Sequence, residues 1–304
     1  MSLPVKEILN IGQRQLAEAG VADAAIDTKL LYCYMMNMTE SQFILAWQNA
    51  LPDSLCEEFF KLLEIRTSGV PVQYIIGYQE FMGLKFEVNE KVLIPRQDTE
   101  TMVEDAISIV NENKLRGEDF PIKPKKSWDV LDLCCGSGAI GISLAKFCPN
   151  ARVTGSDVSN DALQVARENA KSLGMSSKVS FVSGDLLQPF KGKFSKKKFD
   201  MIISNPPYIE SLVIPTLQRE VKDHEPMMAL DGGEDGLDFY KKIISDVAEN
   251  LKKEGVLVLE IGYNQMEQVK ALLENTFKFE NITGLKDLAG RDRIVIATLA
   301  GKKK

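Results

Sequence analysis

Asn205-Pro206-Pro207-Tyr208 is the stretch of this chain best suited to chemistry. It follows an apolar, strand-like run from Phe199 to Ser204, so the tetrad is carried at a strand end. A polar Asn, two prolines and an aromatic make a rigid, preshaped rim. Such a rim suits a flat, neutral NH2 group, the nitrogen of an amide or of an aromatic amine. Asn-Pro pairs also form ordinary tight turns. The chemical reading therefore depends on a cofactor site upstream.

That site is read from three strand ends. The first strand runs into Asp132-Leu133-Cys134-Cys135-Gly136-Ser137-Gly138, where two glycines let a ligand approach the backbone closely. The spacing partly fits a dinucleotide fingerprint. Asp132, however, would repel a pyrophosphate and better suits a positive ammonium group. The second strand ends at Asp157, where an acid can bind both hydroxyls of a ribose. The third ends at Asp185-Leu186, an acceptor for an adenine amino group beside an apolar cover for the ring. Each acid taken singly could be a loop or helix-capping residue. Ammonium, ribose and adenine recognition together describe S-adenosyl-L-methionine. Cys134 and Cys135 are small apolar residues where the loop passes under the cofactor, and no base stands near to make either a nucleophile.

The elements that must carry these residues alternate. Strands are expected at Trp128–Leu133, Arg152–Ser156, Val179–Val182, Asp200–Ser204, Val256–Ile261, Phe277–Ile282 and Arg293–Thr298. Helices are expected at roughly 98–114, 138–147, 159–173, 236–252 and 265–275. This predicts an α/β fold, a Rossmann-like, seven-stranded, mostly parallel sheet with helices on both faces. Ligands then bind beyond the carboxyl ends of the strands. Residues 1–75 read as a small helical domain. One helix there carries Ile8, Leu9, Ile11, Leu16 and Ala19, and a second, over 23–36, has Leu30, Leu31 and Tyr34 on its apolar side. A third starts at a Thr39/Gln42 capping box, and a fourth starts at Pro52-Asp53-Ser54. Residues 76–97 read as a β-hairpin linker with short strands that include Val92-Leu93-Ile94, and 98–304 as the catalytic domain.

Composition narrows the class. A net charge of −6 argues against a non-specific nucleic-acid binder. The helical domain holds nine acidic and five basic residues, most of that excess. Lys123-Pro124-Lys125-Lys126, Lys196–Lys198 and the tail Lys302-Lys303-Lys304 read as surface charge. Five cysteines without CxxC spacing and a single histidine, His224, argue against a disulfide framework and against a metal site. No apolar run is long enough for a membrane span, which gives a cytoplasmic expectation.

At this point the residues match a family. The chain resembles the HemK/PrmC-type protein-glutamine methyltransferases over nearly its whole length. The likeness includes Pro71–Gly77, Phe81-Met82-Gly83, Ile94–Glu100, the glycine loop, Asn205–Ile209, Glu225–Leu230, Gly232–Leu237 and Glu260-Ile261-Gly262 with Gln265. The resemblance implies a class I S-adenosylmethionine-dependent methyltransferase that methylates the glutamine of the GGQ loop of peptide chain release factors. It implies that Asn205 and the Pro206 carbonyl accept the two amide N–H bonds, that Pro207 aims that carbonyl, and that Tyr208 packs on the amide. Asp132, Cys134, Cys135, Gly136, Ser137, Gly138, Asp157, Asp185, Leu186 and Asn205 would hold the cofactor. The partner would be a release factor, with no direct nucleic acid, no membrane, and a monomer as the default. Two positions depart from the pattern: Cys134 stands where the family usually has Gly, and Gln97 where it has Pro. A ribosomal-protein glutamine methyltransferase, an adenine amino methyltransferase and a non-catalytic binding module are the rival readings.

Overall fold

The computed structural model describes residues 3–47, 49–192 and 197–301. Lys196 and the Lys302–Lys304 tail lie outside the described residues. The chain forms two compact units, Met1–Tyr78 with Leu217–His224, and Gln79–Thr216 with Glu225–Lys304.

The first unit is helical. It holds α1 (Val5–Glu18), α2 (Ala24–Met35), α3 (Glu40–Ala46), α4 (Asp53–Thr67) and the short α5 (Val72–Ile76). A two-residue pairing joins β1 (Leu3–Pro4) to β2 (Ala50–Leu51). The capping box at Thr39 and Gln42 is formed, the Thr hydroxyl accepting from the Gln42 N–H and the Gln side chain accepting from the Thr39 N–H. On α2 the buried aromatic is Tyr32, not Tyr34, which is exposed. Leu31 is buried as the periodicity expects, and Tyr32 packs edge-on to Phe43 and Phe59 in the place expected of Tyr34. Ala19, the residue after α1, is likewise exposed, and Gly12 is buried on the inner face of α1, where a Cβ would press on Leu63, Thr28 and Phe59. Arg66 is buried on an ion pair with Asp27 at 2.6 Å and also bonds Glu220. Removing one partner of a buried pair strands the other charge, at about 3–5 kcal/mol.

The second unit begins with a hairpin, β3 (Tyr78–Phe81) paired to β4 (Leu84–Glu87), followed by α6 (Gln97–Glu112) and a small pairing of β5 (Lys114–Leu115) with β6 (Glu118–Asp119). Val92-Leu93-Ile94 forms no strand; Val92 and Ile94 are buried as single apolar anchors in an irregular segment. The main elements then follow in order: β7 (Trp128–Leu133), α7 (Ala139–Phe147), β8 (Ala151–Asp157), α8 (Asn160–Ser172), β9 (Val179–Ser183), β10 (Phe199–Ser204), α9 (Arg219–Lys222, in the first unit), α10 (Asp238–Asn250), β11 (Leu251–Glu260), α11 (Met266–Glu274), β12 (Phe279–Lys286) and β13 (Asp292–Leu299).

Seven strands lie in the order β12-β13-β11-β10-β7-β8-β9. β7 to β11 run parallel; β13 and β12 add an antiparallel edge. The apolar runs are long because both faces are covered. Val130, Met201, Ile203, Val256 and Val258 join the core under α6 and α7. Their alternates Leu131, Leu133, Ile202, Leu257 and Leu259 join the core under α10 and α11. The chain leaves β9 and returns on the other side of β7 as β10. The strand order therefore reverses between β7 and β10, and a crevice opens there above the carboxyl ends. No helix among the described residues is long and apolar enough to cross a membrane.

Candidate active site

A cavity of about 570 Å³ lies over the carboxyl ends of β7, β8, β9 and β10. Cys134, Gly136, Asp157, Asp185, Leu186, Asn205 and Pro207 line it. Asp132, Cys135, Ser137, Gly138, Pro206 and Tyr208 do not reach its wall. Its size suits a cofactor-sized ligand.

The loop after β7 is shaped by backbone conformation. Cys134, Gly136 and Gly138 all have positive φ, at 59°, 51° and 79°. The first of these is strained for a residue with a Cβ, by about 1–2 kcal/mol, a physical reason for the glycine that the resemblance leads one to expect there. Asp157 clamps the loop: Oδ2 accepts from the Gly136 N–H and Oδ1 from the Ser159 N–H, both at 2.9 Å. Burial raises its carboxyl above the ordinary value. Cys135 is buried beneath the loop, and a Cβ on Gly155 would meet its Sγ at 3.1 Å. Burial pushes both thiols up, so they stay neutral and structural. Gln97 is the first residue of α6, the position at which proline is favoured but not required.

Asp132 is fully buried in β7. Its Oδ2 accepts from the Gly141 N–H at 2.8 Å, while Oδ1 has no partner. Burial, with Asp157 adding a smaller push, raises its carboxyl to about 7. Gly141 allows this approach, because a Cβ there would meet Oδ2 at 2.8 Å.

Asn205 leaves β10 half-buried, and its Nδ2 donates to Thr99 Oγ1 at 3.3 Å. Tyr208 donates from its hydroxyl to Glu260 Oε1 at 3.3 Å. The backbone of Tyr208 is gripped by glycines: a Cβ on Gly232 would lie 2.7 Å from its Cα, and one on Gly236 2.5 Å from its carbonyl oxygen. Gln265 completes the grip, Nε2 donating to the Tyr208 carbonyl at 3.0 Å. Ile209 and Gly232 then exchange backbone contacts with 230 and 209, which anchors the far end of the tetrad.

Glu260, at the end of β11, is a fourth strand-end acid, which the signal that singled out Asp132, Asp157 and Asp185 could also have found; the sequence placed it one residue inside its strand and assigned it no role. It is buried, and desolvation raises its carboxyl to about 7 despite the adjoining Thr99 hydroxyl and the nearby charge of Arg293. Thr99 and Asn169 are also new. Asn169 donates to the Glu87 and Ser137 carbonyls and accepts from the Glu87 N–H, tying the hairpin and the glycine loop to α8. The segment Pro226, Met227, Met228 and Ala229 adds an apolar wall to the cavity, with both methionines exposed. Among the described residues, no group of three or more His, Cys, Asp and Glu side chains is placed to hold a metal ion.

Comparison with known proteins bears on this site. Residues 124–297 match a family described as a methyltransferase domain, and residues 7–77 one described as the PrmC N-terminal domain. The release factor glutamine methyltransferase of Moorella thermoacetica is 37% identical over 97% of this chain and 98% of its own. That of Bacillus subtilis (strain 168) is 38% identical over 98% of both. A methyltransferase from Pyrococcus furiosus shares the fold, with a TM-score of 0.50 at 18% identity over 73% of this chain and 91% of that one.

Proposed function

The chain belongs to the release factor glutamine methyltransferase family, and from that premise we propose that it methylates the side-chain amide nitrogen of the GGQ-motif glutamine in a peptide chain release factor, with S-adenosyl-L-methionine as donor. The observation that carries the reading is that Asn205 lines the same cavity as Asp157, Asp185 and Leu186.

The residues fit that cofactor. Asp132 stands behind the cavity wall, and its buried Oδ1, which no protein donor satisfies, is the acceptor that an ammonium group would take. Each Asp157 oxygen takes one backbone N–H and keeps a lone pair for a ribose hydroxyl. Asp185 and Leu186 would take the adenine, and Cys134, Cys135, Gly136, Ser137 and Gly138 would form the loop beneath the methionine part. When bound, the cofactor supplies an activated methyl group.

The chain's own task is placement. An amide nitrogen is a poor nucleophile, because its lone pair is shared with the carbonyl. Asn205 Oδ1 and the Pro206 carbonyl accept its two N–H bonds, Pro207 holds that carbonyl inward, and Tyr208 packs beside the amide. Alignment of this kind supplies up to roughly 7–11 kcal/mol. The surplus proton leaves the nitrogen after transfer, so no strong base is required. We assign partner docking to the helical residues 1–75, a linker role to 76–97 and catalysis to 98–304.

The test is methyl transfer from labelled S-adenosyl-L-methionine to a purified release factor, beside the same factor with its GGQ glutamine replaced, a ribosomal protein and an adenine-containing duplex. Label on the intact factor alone is the expected result. Label on the ribosomal protein or the duplex, with none on the factor, overturns the proposal.

A further inference from the structure

Asn205 can receive an N–H only if its oxygen, and not its NH2, faces the substrate. The two ends of a carboxamide have nearly the same shape, so packing alone does not choose between them. A chain of hydrogen bonds behind the tetrad does. Asn205 Nδ2 donates to Thr99 Oγ1 at 3.3 Å. Thr99 is buried in the first turn of α6, and its hydroxyl stands beside the Glu260 carboxyl. Glu260 Oε1 accepts from Tyr208 at 3.3 Å, and its sealed Oε2 has no partner. Asp98 on α6 and Arg293 on β13 face the same carboxyl with opposite charge, and Tyr240 of α10 donates to the Glu260 backbone carbonyl at 2.9 Å.

We propose that Thr99 and Glu260 are positioning residues for the methyl transfer. Ionised, Glu260 is acceptor-only and takes the Thr99 hydroxyl hydrogen. Thr99 Oγ1 is then an acceptor, Asn205 must turn its NH2 toward it, and Oδ1 is left for the substrate. The same carboxylate holds Tyr208, so one buried acid sets both ends of the tetrad. The inference rests on the reading of Asn205 as the acceptor of a substrate N–H. Its consequence is specific: Glu260→Gln offers Thr99 an NH2 donor, frees the hydroxyl hydrogen to turn to Asn205, and lets the wrong end of the amide face the cavity.

The experiment compares Glu260→Gln, Thr99→Val and Thr99→Ser in the full chain, with cofactor affinity as the check that each variant folds. The first two should lose about 100-fold in kcat, as misplacement of a reacting group costs, with cofactor affinity unchanged. Thr99→Ser keeps the hydroxyl and should stay within about threefold of wild type. A readout that needs no substrate is the NMR signal of the Asn205 side-chain amide, assigned by its loss in Asn205→Asp. That signal should shift in Glu260→Gln and Thr99→Val and hold in Thr99→Ser. An unmoved signal, or turnover within about threefold of wild type in both relay variants, overturns the inference. If the wild-type chain leaves the release factor unmodified, the functional proposal falls, and the amide signal still decides this one.

Discussion

Asp157 and Asn205 line one cavity but serve different partners in the proposed reaction. Asp157→Ala removes a charged acceptor and should weaken S-adenosyl-L-methionine binding by about 10–100-fold, the worth of a hydrogen bond to a charged group. Asn205→Ala should keep that affinity and lose nearly all turnover. Calorimetry and a turnover assay on the two variants read both effects, and the opposite pattern would reverse the assignments. Asp132 carries a pH signature. Its ordinary value of 3.8 is raised to about 7 by burial. Between those values the unfolded chain has released a proton that the folded chain keeps. The stability this group contributes is therefore full below about pH 4, declines as pH rises, and is gone above about pH 7. Asp132→Asn still accepts from Gly141 but does not titrate. Urea unfolding without cofactor, from about pH 5 to pH 8, should show a shallower decline for this variant, and parallel curves would refute it.

Among the elements, the loop from Gly232 to Gly236 is the support most exposed to a single change. A Cβ on Gly232 would strike Tyr208 Cα at 2.7 Å and its carbonyl carbon at 2.8 Å, backbone atoms that have no rotamer to escape into. Gly232→Ala should displace Tyr208 and lower kcat by about 100-fold while cofactor binding holds, measured by the same two assays. Unaltered turnover would mean that the tetrad tolerates movement. The sheet and the strand-end placement of Asp157 and Asp185 at the cavity were legible in the sequence because strands buried on both faces leave long apolar runs, and an acid that ends such a run stands out. The limits of legibility have physical causes as well. β11 starts at Leu251 rather than Val256, because Lys252, Lys253, Glu254 and Gly255 look like a turn yet run on as strand, with Glu254 at positive φ. Tyr34 and Tyr32 are equally aromatic, and only the packing of Phe43 and Phe59 selects the second. Thr99 stands 106 residues before Asn205, so no local pattern could join them.

For the whole molecule, charge is divided unevenly. The helical unit's surplus of acids survives folding, since the buried Asp27–Arg66 pair removes one acid and one base together. If this surface meets a basic region of the partner, encounter is electrostatically steered, and kcat/KM should fall as salt rises while kcat at saturation changes little. A flat salt profile would contradict that role. The central claim concerns one nitrogen atom on one side chain. It is tested most directly by peptide mass spectrometry of a purified release factor after incubation with this protein and S-adenosyl-L-methionine. A gain of one methyl group on the glutamine of the GGQ motif is expected, absent with Asn205→Ala. An unmodified glutamine, or a methyl group on any other residue, would contradict it.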